Sequence, residues 1–352
     1  MIKLASISNN YGESYDGVGD FARAQNINFP DDIKVINYTA KCTYEVPKIK
    51  RLFSLGMIKA TCKLIRDLKN NKINAVIIEY PFVEWNPLIL LPVLKLSYML
   101  KKQGILILSL HEYDRVNILR KKIIQIFCMI SDLVFVSNYK IKEAVRPFCK
   151  KICIRPIPTN LYNEDAINCN NISKNNNRYV YFGLVNKAKA FNEMLCAWDK
   201  FNENCEYELY ILSGTPLYNL ENKHKGVKYI YNGTDYEIIS LMKSAKACFL
   251  PVKPFVDNKN TTFKTACLAG CICIGLFSDE YKNFDFVLNM RDYSCSSFVN
   301  AMNKVSTLEN DKTRLMQHKA IEFGLMFSPK VTSSIVAQEI KKMIGEKYDN
   351  MR

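Results

Sequence analysis

The stretch Phe249-Leu250-Pro251, followed by Asp257-Asn258-Lys259-Asn260-Thr261-Thr262 and then Ala269-Gly270-Cys271-Ile272-Cys273-Ile274-Gly275, decides the expected fold. The apolar run ending at Pro251 predicts a buried strand, and a polar loop follows it. A helix is predicted from Thr262 to Ala269, and the apolar run Cys271 to Leu276 reads as a second buried strand. A helix that starts where a strand ends offers unpaired backbone N–H groups and the positive end of its dipole to an anion. Thr261 and Thr262 are placed to cap that helix or donate hydroxyls, and Lys259 adds charge. The same residues also describe an ordinary βαβ unit with a well-capped helix.

The alternation continues on both sides. In the first half, strands are predicted at Ile2 to Ser8, Ile33 to Asn37, Ala75 to Glu79, Ile105 to Leu110 and Leu133 to Ser137. Between them lie helical patterns from about Phe21, at Phe53 to Asn70, Leu88 to Lys101, Leu119 to Met129 and Lys140 to Cys149. Pro156 and Pro158 then precede an Asn-rich segment too polar to bury a core of its own. After it the alternation restarts, with strands at Tyr179 to Phe182, Glu208 to Ser213, Val227 to Tyr231 and Ala247 to Pro251, and helices at Phe191 to Asn202 and Asp235 to Ser244. The expected class is therefore α/β, with two facing Rossmann-like doubly wound domains and a ligand cleft between them at the carboxyl ends of the strands. The expected divisions are a first domain at 1–160, a linker at 161–177, a second domain at 178–330, and a C-terminal helix at 331–352 packing back on the first domain.

A chain of 352 residues, 48% hydrophobic, suffices for two such cores. Thirteen cysteines form no C-x-x-C pair and no metal-ligand spacing with a histidine. Most lie in apolar runs, so they read as small buried hydrophobes of a reducing, cytoplasmic compartment. The N-terminus resembles a first strand and not a signal peptide. The lipophilic stretch Leu88 to Leu100 is interrupted by Lys95 and is shorter than the roughly 20 residues a bilayer span requires; it reads as a buried helix, or as one lying at a membrane interface. The net charge of +15, from 49 Lys and Arg against 34 Asp and Glu, favours anionic partners. Nucleic acid is not expected, because the aromatic residues are not interleaved with a basic stripe.

Four loops are expected at the strand ends. Gly17-Val18-Gly19-Asp20 permits close backbone approach but lacks the third glycine and later acid of a dinucleotide fingerprint. His111, one of only three histidines, ends a buried strand where its imidazole can hydrogen-bond a sugar hydroxyl or be tied to the protein itself. Lys187 and Lys189, after Gly183, offer point charges to a diphosphate. The loop Asp257 to Thr262 is the fourth. No nucleophile elbow, Walker loop, zinc motif or EF-hand is present, which leaves chemistry by positioning and electrostatics.

On these residues the chain resembles the bacterial retaining glycosyltransferases of the GT-B fold, in the family 4 group. Gly17-Val18-Gly19-Asp20-Phe21-Ala22-Arg23 is similar to that family's glycine-rich loop, and Leu108-Ser109-Leu110-His111-Glu112 to its strand ending in a donor-site histidine. Phe182-Gly183-Leu184-Val185-Asn186-Lys187-Ala188-Lys189 is similar to its diphosphate-binding segment, with Lys189 at the lysine position and Asn186 where an arginine is usual. Pro251 through Gly270 resembles the nucleotide-binding loop and helix. In the family's paired-glutamate pattern, however, the two positions fall on Asp257 and Thr265.

The resemblance implies transfer of a sugar, with retention, from a nucleoside diphosphate sugar to a hydroxyl of a saccharide or lipid-linked saccharide, with no metal and no cofactor. It implies His111, Lys189 and Asp257 at the reacting centre. Gly183, Asn186, Lys187, Asn260, Thr261, Thr262 and Thr265 would join Lys189 around the donor, and Gly17, Gly19 and Asp20 would hold the acceptor. With the basic charge it further implies surface-polysaccharide or glycolipid synthesis at an anionic membrane surface. Two alternatives stay open: a non-hydrolysing sugar-nucleotide epimerase, and a catalytically weak nucleotide-sugar-binding partner subunit.

Overall fold

The computed structural model describes residues 1–8, 17–39, 57–80, 90–101, 104–114, 116–169, 171–204 and 206–349. The chain divides into two compact units, one formed by Met1–Pro158 with Pro329–Arg352 and the other by Thr159–Ser328.

The first unit holds β1 (Ile2–Ser8), β2 (Ile33–Thr39), β3 (Ala75–Tyr80), β4 (Ile105–Leu110), β5 (Leu133–Val136) and β6 (Ile152–Ile154) in the order β2-β1-β3-β4-β5-β6, every pair parallel. A parallel sheet is covered on both faces, and the period of two divides the apolar runs between them. Ile105 and Ile107 of β4 enter one core with Leu4, Ile77 and Phe135, while Leu106, Leu108 and Leu110 enter the opposite one with Val76, Ile78 and Val136. The first of these faces is closed by the C-terminal helix Pro329–Asp349, through Val336, Ala337, Ile340 and Ile344. Burying Val336 and Ile340, neither exposed at all, contributes about 1.5–3 kcal/mol each. Ser333 Oγ also donates to the Gln25 carbonyl (3.0 Å), joining this helix to the helix Gly17–Asn26.

The second unit holds β7 (Asn175–Phe182), β8 (Glu208–Ser213), β9 (Val227–Tyr231), β10 (Ala245–Leu250), β11 (Ile272–Gly275) and β12 (Val287–Asn289), ordered β12-β11-β10-β7-β8-β9 and again parallel throughout. Its core joins Tyr179, Trp198, Phe249, Phe263 and Phe298, all fully buried.

The structure departs from the sequence reading at several elements. Strands β6 and β12, three residues each, carry no period long enough to detect. Segment 161–177 lies within the second unit and contains the helix Glu164–Asn168, capped by Asn163, and the start of β7 at Asn175, which pairs with Ala245. Gly17 to Asp20 form the first turn of the helix Gly17–Asn26 and not a loop ahead of it. Expectations at 9–16, 53–56 and 88–89 fall outside the described residues.

One close approach fixes the helix of most functional interest. The helix Thr261–Leu268 packs against the helix Asn310–Leu325 with Gly324 at the crossing, where an added Cβ would overlap the backbone nitrogen of Leu268. Because the obstacle is backbone, Gly324→Ala is expected to destabilise the protein by roughly 1–3 kcal/mol, read from urea unfolding.

Candidate functional site

In the first unit, β3 and β4 run side by side with Glu79 opposite Ser109. The His111 backbone N–H extends this ladder by donating to the Tyr80 carbonyl (2.9 Å). Its ring turns inward, Nε2 lying 2.8 Å from Glu79 Oε2 and 3.3 Å from Ser109 Oγ. Arg155, just past β6, donates from Nη1 to Glu79 Oε1 (3.1 Å) and to Ser109 Oγ (2.5 Å). Phe21, one turn into the helix Gly17–Asn26, covers both: its ring meets the imidazole edge-on at 4.6 Å, and the Arg155 guanidinium carbon sits 4.1 Å from its centroid. Through Phe21 the helix that starts with Gly17, Gly19 and the exposed Asp20 is joined to His111.

Glu79 is fully buried. Burial by itself would push its carboxyl up, but the Arg155 charge and the hydrogen bonds from His111 and Ser109 outweigh it and hold the group at about 2. The carboxylate is therefore ionised and can only accept hydrogen bonds. In the neutral imidazole, His111 Nε2 must then carry the proton, which leaves Nδ1 as the acceptor. Burial pulls the Arg155 guanidinium down, Glu79 opposes this, and its Nη2 finds no partner among the described residues.

In the second unit, Gly183 follows β7 with φ +132°, a conformation open to glycine and strained for other residues. A Cβ at that position would lie 3.8 Å from Thr262 Oγ1, so the loop after β7 lies beside the start of the helix Thr261–Leu268. Asn186 builds the loop: its Oδ1 accepts from the Ala188 N–H (3.0 Å) and its carbonyl from the Lys189 N–H (3.0 Å). Its side-chain oxygen is thus committed to a turn, where the expectation was donor contact. Lys189 bridges Val252 in antiparallel fashion, flanked by Ala190 N–H to Pro251 O (2.7 Å) and Lys253 N–H to Ala188 O (2.9 Å). The Lys189 side chain is half-buried, its ammonium has no carboxylate within 4.0 Å among the described residues, and burial pulls its pKa down. Lys187 is exposed.

Asp257 shapes the second loop, accepting at Oδ1 from the Lys259 N–H (2.9 Å) and at its carbonyl from the Asn260 N–H (3.0 Å). The N-cap is Asn260, whose Oδ1 accepts from the Phe263 N–H (2.7 Å). Thr261 and Thr262, expected as caps, are instead the first two helical residues, where backbone N–H groups have no intrahelical acceptor. Thr265 is 1% exposed, and its hydroxyl donates to Asn160 Oδ1 (2.8 Å) and lies 3.1 Å from the Thr261 carbonyl.

Three residues escaped the sequence reading. Glu79 and Arg155 each stood alone as a charge inside an apolar run, which signals a buried partner without naming it. Lys264 did the same on its helix. It is 1% exposed, donates to the Asn258 carbonyl (2.7 Å), and lies 4.5 Å from the Phe327 ring centroid. Burial pulls its amine to about 7, against the pull of Asp257 and Glu280.

Three outcomes are expected. With 15N-labelled histidine, the neutral His111 ring reports protonation at Nε2, and Glu79→Gln shifts that tautomer balance; Glu79→Ala, which strands the Arg155 charge, costs about 3–5 kcal/mol. Between about 7 and the unfolded value near 10.4, the unfolded chain binds a proton at Lys264 that the folded chain has released, so this lysine makes unfolding free energy rise with pH. Paired denaturation curves should therefore show the parent gaining stability relative to Lys264→Met across that window, and a constant difference would contradict the assignment.

No protein-family model matches the chain, and no curated protein matches it in sequence. Solved structures do match in fold. The chain is similar to a glycosyltransferase from Rickettsia africae (13% identity, 97% of this chain and 98% of that one, TM-score 0.69). It is also similar to the pneumococcal O-GlcNAc transferase in complex with UDP and GlcNAc (9% identity, 97% and 99%, TM-score 0.66), and to α,α-trehalose 6-phosphate synthase from Burkholderia multivorans (9%, 98% and 100%, TM-score 0.63). At these identities the likeness is one of fold: the chain carries the two-domain α/β fold of the GT-B glycosyltransferases.

Proposed function

We propose that this protein is a retaining glycosyltransferase that moves a sugar from a nucleoside diphosphate sugar to a hydroxyl of a saccharide or lipid-linked saccharide. The observation that carries the reading is Lys189: a half-buried ammonium without a counter-charge among the described residues, on the loop that flanks the start of the helix Thr261–Leu268. A leaving diphosphate supplies the missing anion. The amides of Thr261 and Thr262 and the dipole of their helix add to the same field. In this reading the C1–O bond of the donor breaks, the electron pair departs on the diphosphate, and the acceptor oxygen bonds C1 on the face the leaving group vacates while passing its proton to the departing diphosphate oxygen. The bound UDP and GlcNAc named for the pneumococcal transferase fit such a donor. His111 Nδ1 accepts a hydrogen bond from a sugar hydroxyl, and the helix beginning at Gly17 lies with the acceptor.

The first unit also supports a membrane-surface reading. The helix Leu90–Leu100 places Val93, Leu96 and Leu100 in the core and turns Leu94, Lys95 and Tyr98 outward. Ser97 Oγ donates to the Ile130 carbonyl (3.1 Å), seating this helix beside the helix Ile118–Ile130, which exposes Ile118, Leu119 and Lys122. Apolar side chains among lysines suit an anionic lipid surface, where a lipid-linked acceptor of polysaccharide or glycolipid synthesis is presented. Among the described residues no helix is long and apolar enough to cross a membrane.

The committed Thr265 hydroxyl and Asn186 side chain favour one rival, a binding subunit without turnover. Both readings are tested with the purified protein, UDP and a panel of nucleotide sugars. Transfer or slow hydrolysis is expected, with Lys189→Ala lowering kcat roughly 30- to 1000-fold, equivalent to about 2–4 kcal/mol of lost charge stabilisation. A thermal shift with nucleotide sugars but no turnover on any acceptor gives the rival; an unchanged rate in Lys189→Ala removes that residue from the site.

A further inference from the structure

A groove of about 650 Å³ opens in the second unit beside β12, the outermost strand of its sheet. It lies between the loop that leads into β12, the end of the helix Cys295–Ser306 and the start of the helix Asn310–Leu325. Val287, the first residue of β12, lines it, so it sits at the amino ends of parallel strands. Gly183 and Thr262 lie at their carboxyl ends. The volume is in the range of small-molecule sites.

Its chemistry is divided. Phe284, Leu288, Leu308 and Leu315 give an apolar floor, and Leu315 is 56% exposed. Four lysines rim it. Lys319 is paired with Asp285, which also lines the groove, and Lys282 with Asp279 (2.7 Å). Lys304 and Lys312 have no carboxylate within 4.0 Å among the described residues. The carbonyls ending the helix Cys295–Ser306, which would repel an anion, already have donors: Thr307 Oγ1 donates to Asn303 O (2.9 Å), and Lys246 Nζ stands 3.5 Å from Ser306 O. Lys312 is in the first turn of the next helix, whose dipole is met there by Asp311.

We propose that this groove binds an amphiphile with a phosphate head and an alkyl chain, the head between Lys304 and Lys312 and the chain over Leu308 and Leu315. Two unneutralised ammonium groups select the charge, and the apolar floor selects the chain at about fourfold in affinity per buried methylene. A bare phosphate gains only the first term and a neutral detergent only the second. The site is separate from the strand-end residues and stands whether or not the chain transfers sugar.

Calorimetric titration of the intact protein with monomeric octyl phosphate, inorganic phosphate and octyl glucoside tests it. Octyl phosphate is expected to bind at least tenfold more tightly than either comparator. Binding should fall about tenfold in the exposed double variant Lys304→Gln/Lys312→Gln and severalfold in Leu315→Ser. Sedimentation with phosphatidylglycerol vesicles then separates two sources of the ligand. Loss of vesicle binding in the double variant identifies a membrane lipid, and loss of octyl phosphate binding alone identifies a soluble amphiphile. Octyl phosphate binding no tighter than octyl glucoside, or equal in the parent and the double variant, overturns the proposal.

Discussion

Parallel strand pairing is the constraint from which the rest of each unit follows. Every ladder in both sheets is parallel, so each strand must return to the starting end before the next begins, and all carboxyl ends emerge together. The same geometry aims the amino ends of the returning helices at that edge. His111 and the helix starting at Gly17 share an end of the first sheet for this reason, as do Gly183 and Thr262 in the second unit. Residues far apart in sequence need no special device to meet there. Glu79 and Ser109 are opposite each other because β3 and β4 are neighbours in register, and Arg155 arrives because β6 ends the same way.

Charge is the second organising element. Three lysines of the surplus are structural: Lys174 donates to Ala245 O and Gly270 O, Lys243 to Ala166 O, Ile167 O and Cys169 O, and Lys347 to Gly104 O. Lys174 and Lys243 close carbonyls at the carboxyl end of a helix, where the dipole is negative and acceptors outnumber donors, and Lys347 does so through Leu100 O (3.3 Å). Asparagine does the reciprocal work at amino ends, with Asn117, Asn138, Asn163 and Asn260 each accepting from a first-turn N–H. A composition rich in lysine and asparagine thus has a local physical use at both helix ends, and net charge overstates what remains for partners.

These uses explain which parts of the architecture were legible in the sequence. Runs such as Ile105 to Leu110 announce a doubly buried strand, and most of the alternation followed from them. The Asn-rich segment after Pro158 misled because asparagine marks loops and helix caps alike; only the pairing of Asn175 with Ala245 separates the strand from the linker it resembled. His111 was legible as a lone histidine at a strand end. Its setting was not, because Glu79 lies 32 residues from His111 and 76 residues from Arg155, and no local pattern encodes hydrogen bonds of such range. Thr265 is the opposite case. A motif position predicts orientation only if the neighbours agree, and here Asn160 claims the hydroxyl.

That last exchange changes what the second unit can recognise. A carboxylate at position 265 would be buried beside Asn160, on a different side of the helix from Lys264, and would stand there without a cationic partner among the described residues. With threonine bonded to asparagine, a neutral pair fills the space, and the positive end of the helix dipole is answered by the Asp257 carboxylate of the preceding loop and by Glu280 acting on Lys264. On the glycosyl-transfer reading, affinity then comes chiefly from the diphosphate and less from the ribose hydroxyls that carboxylates would grip.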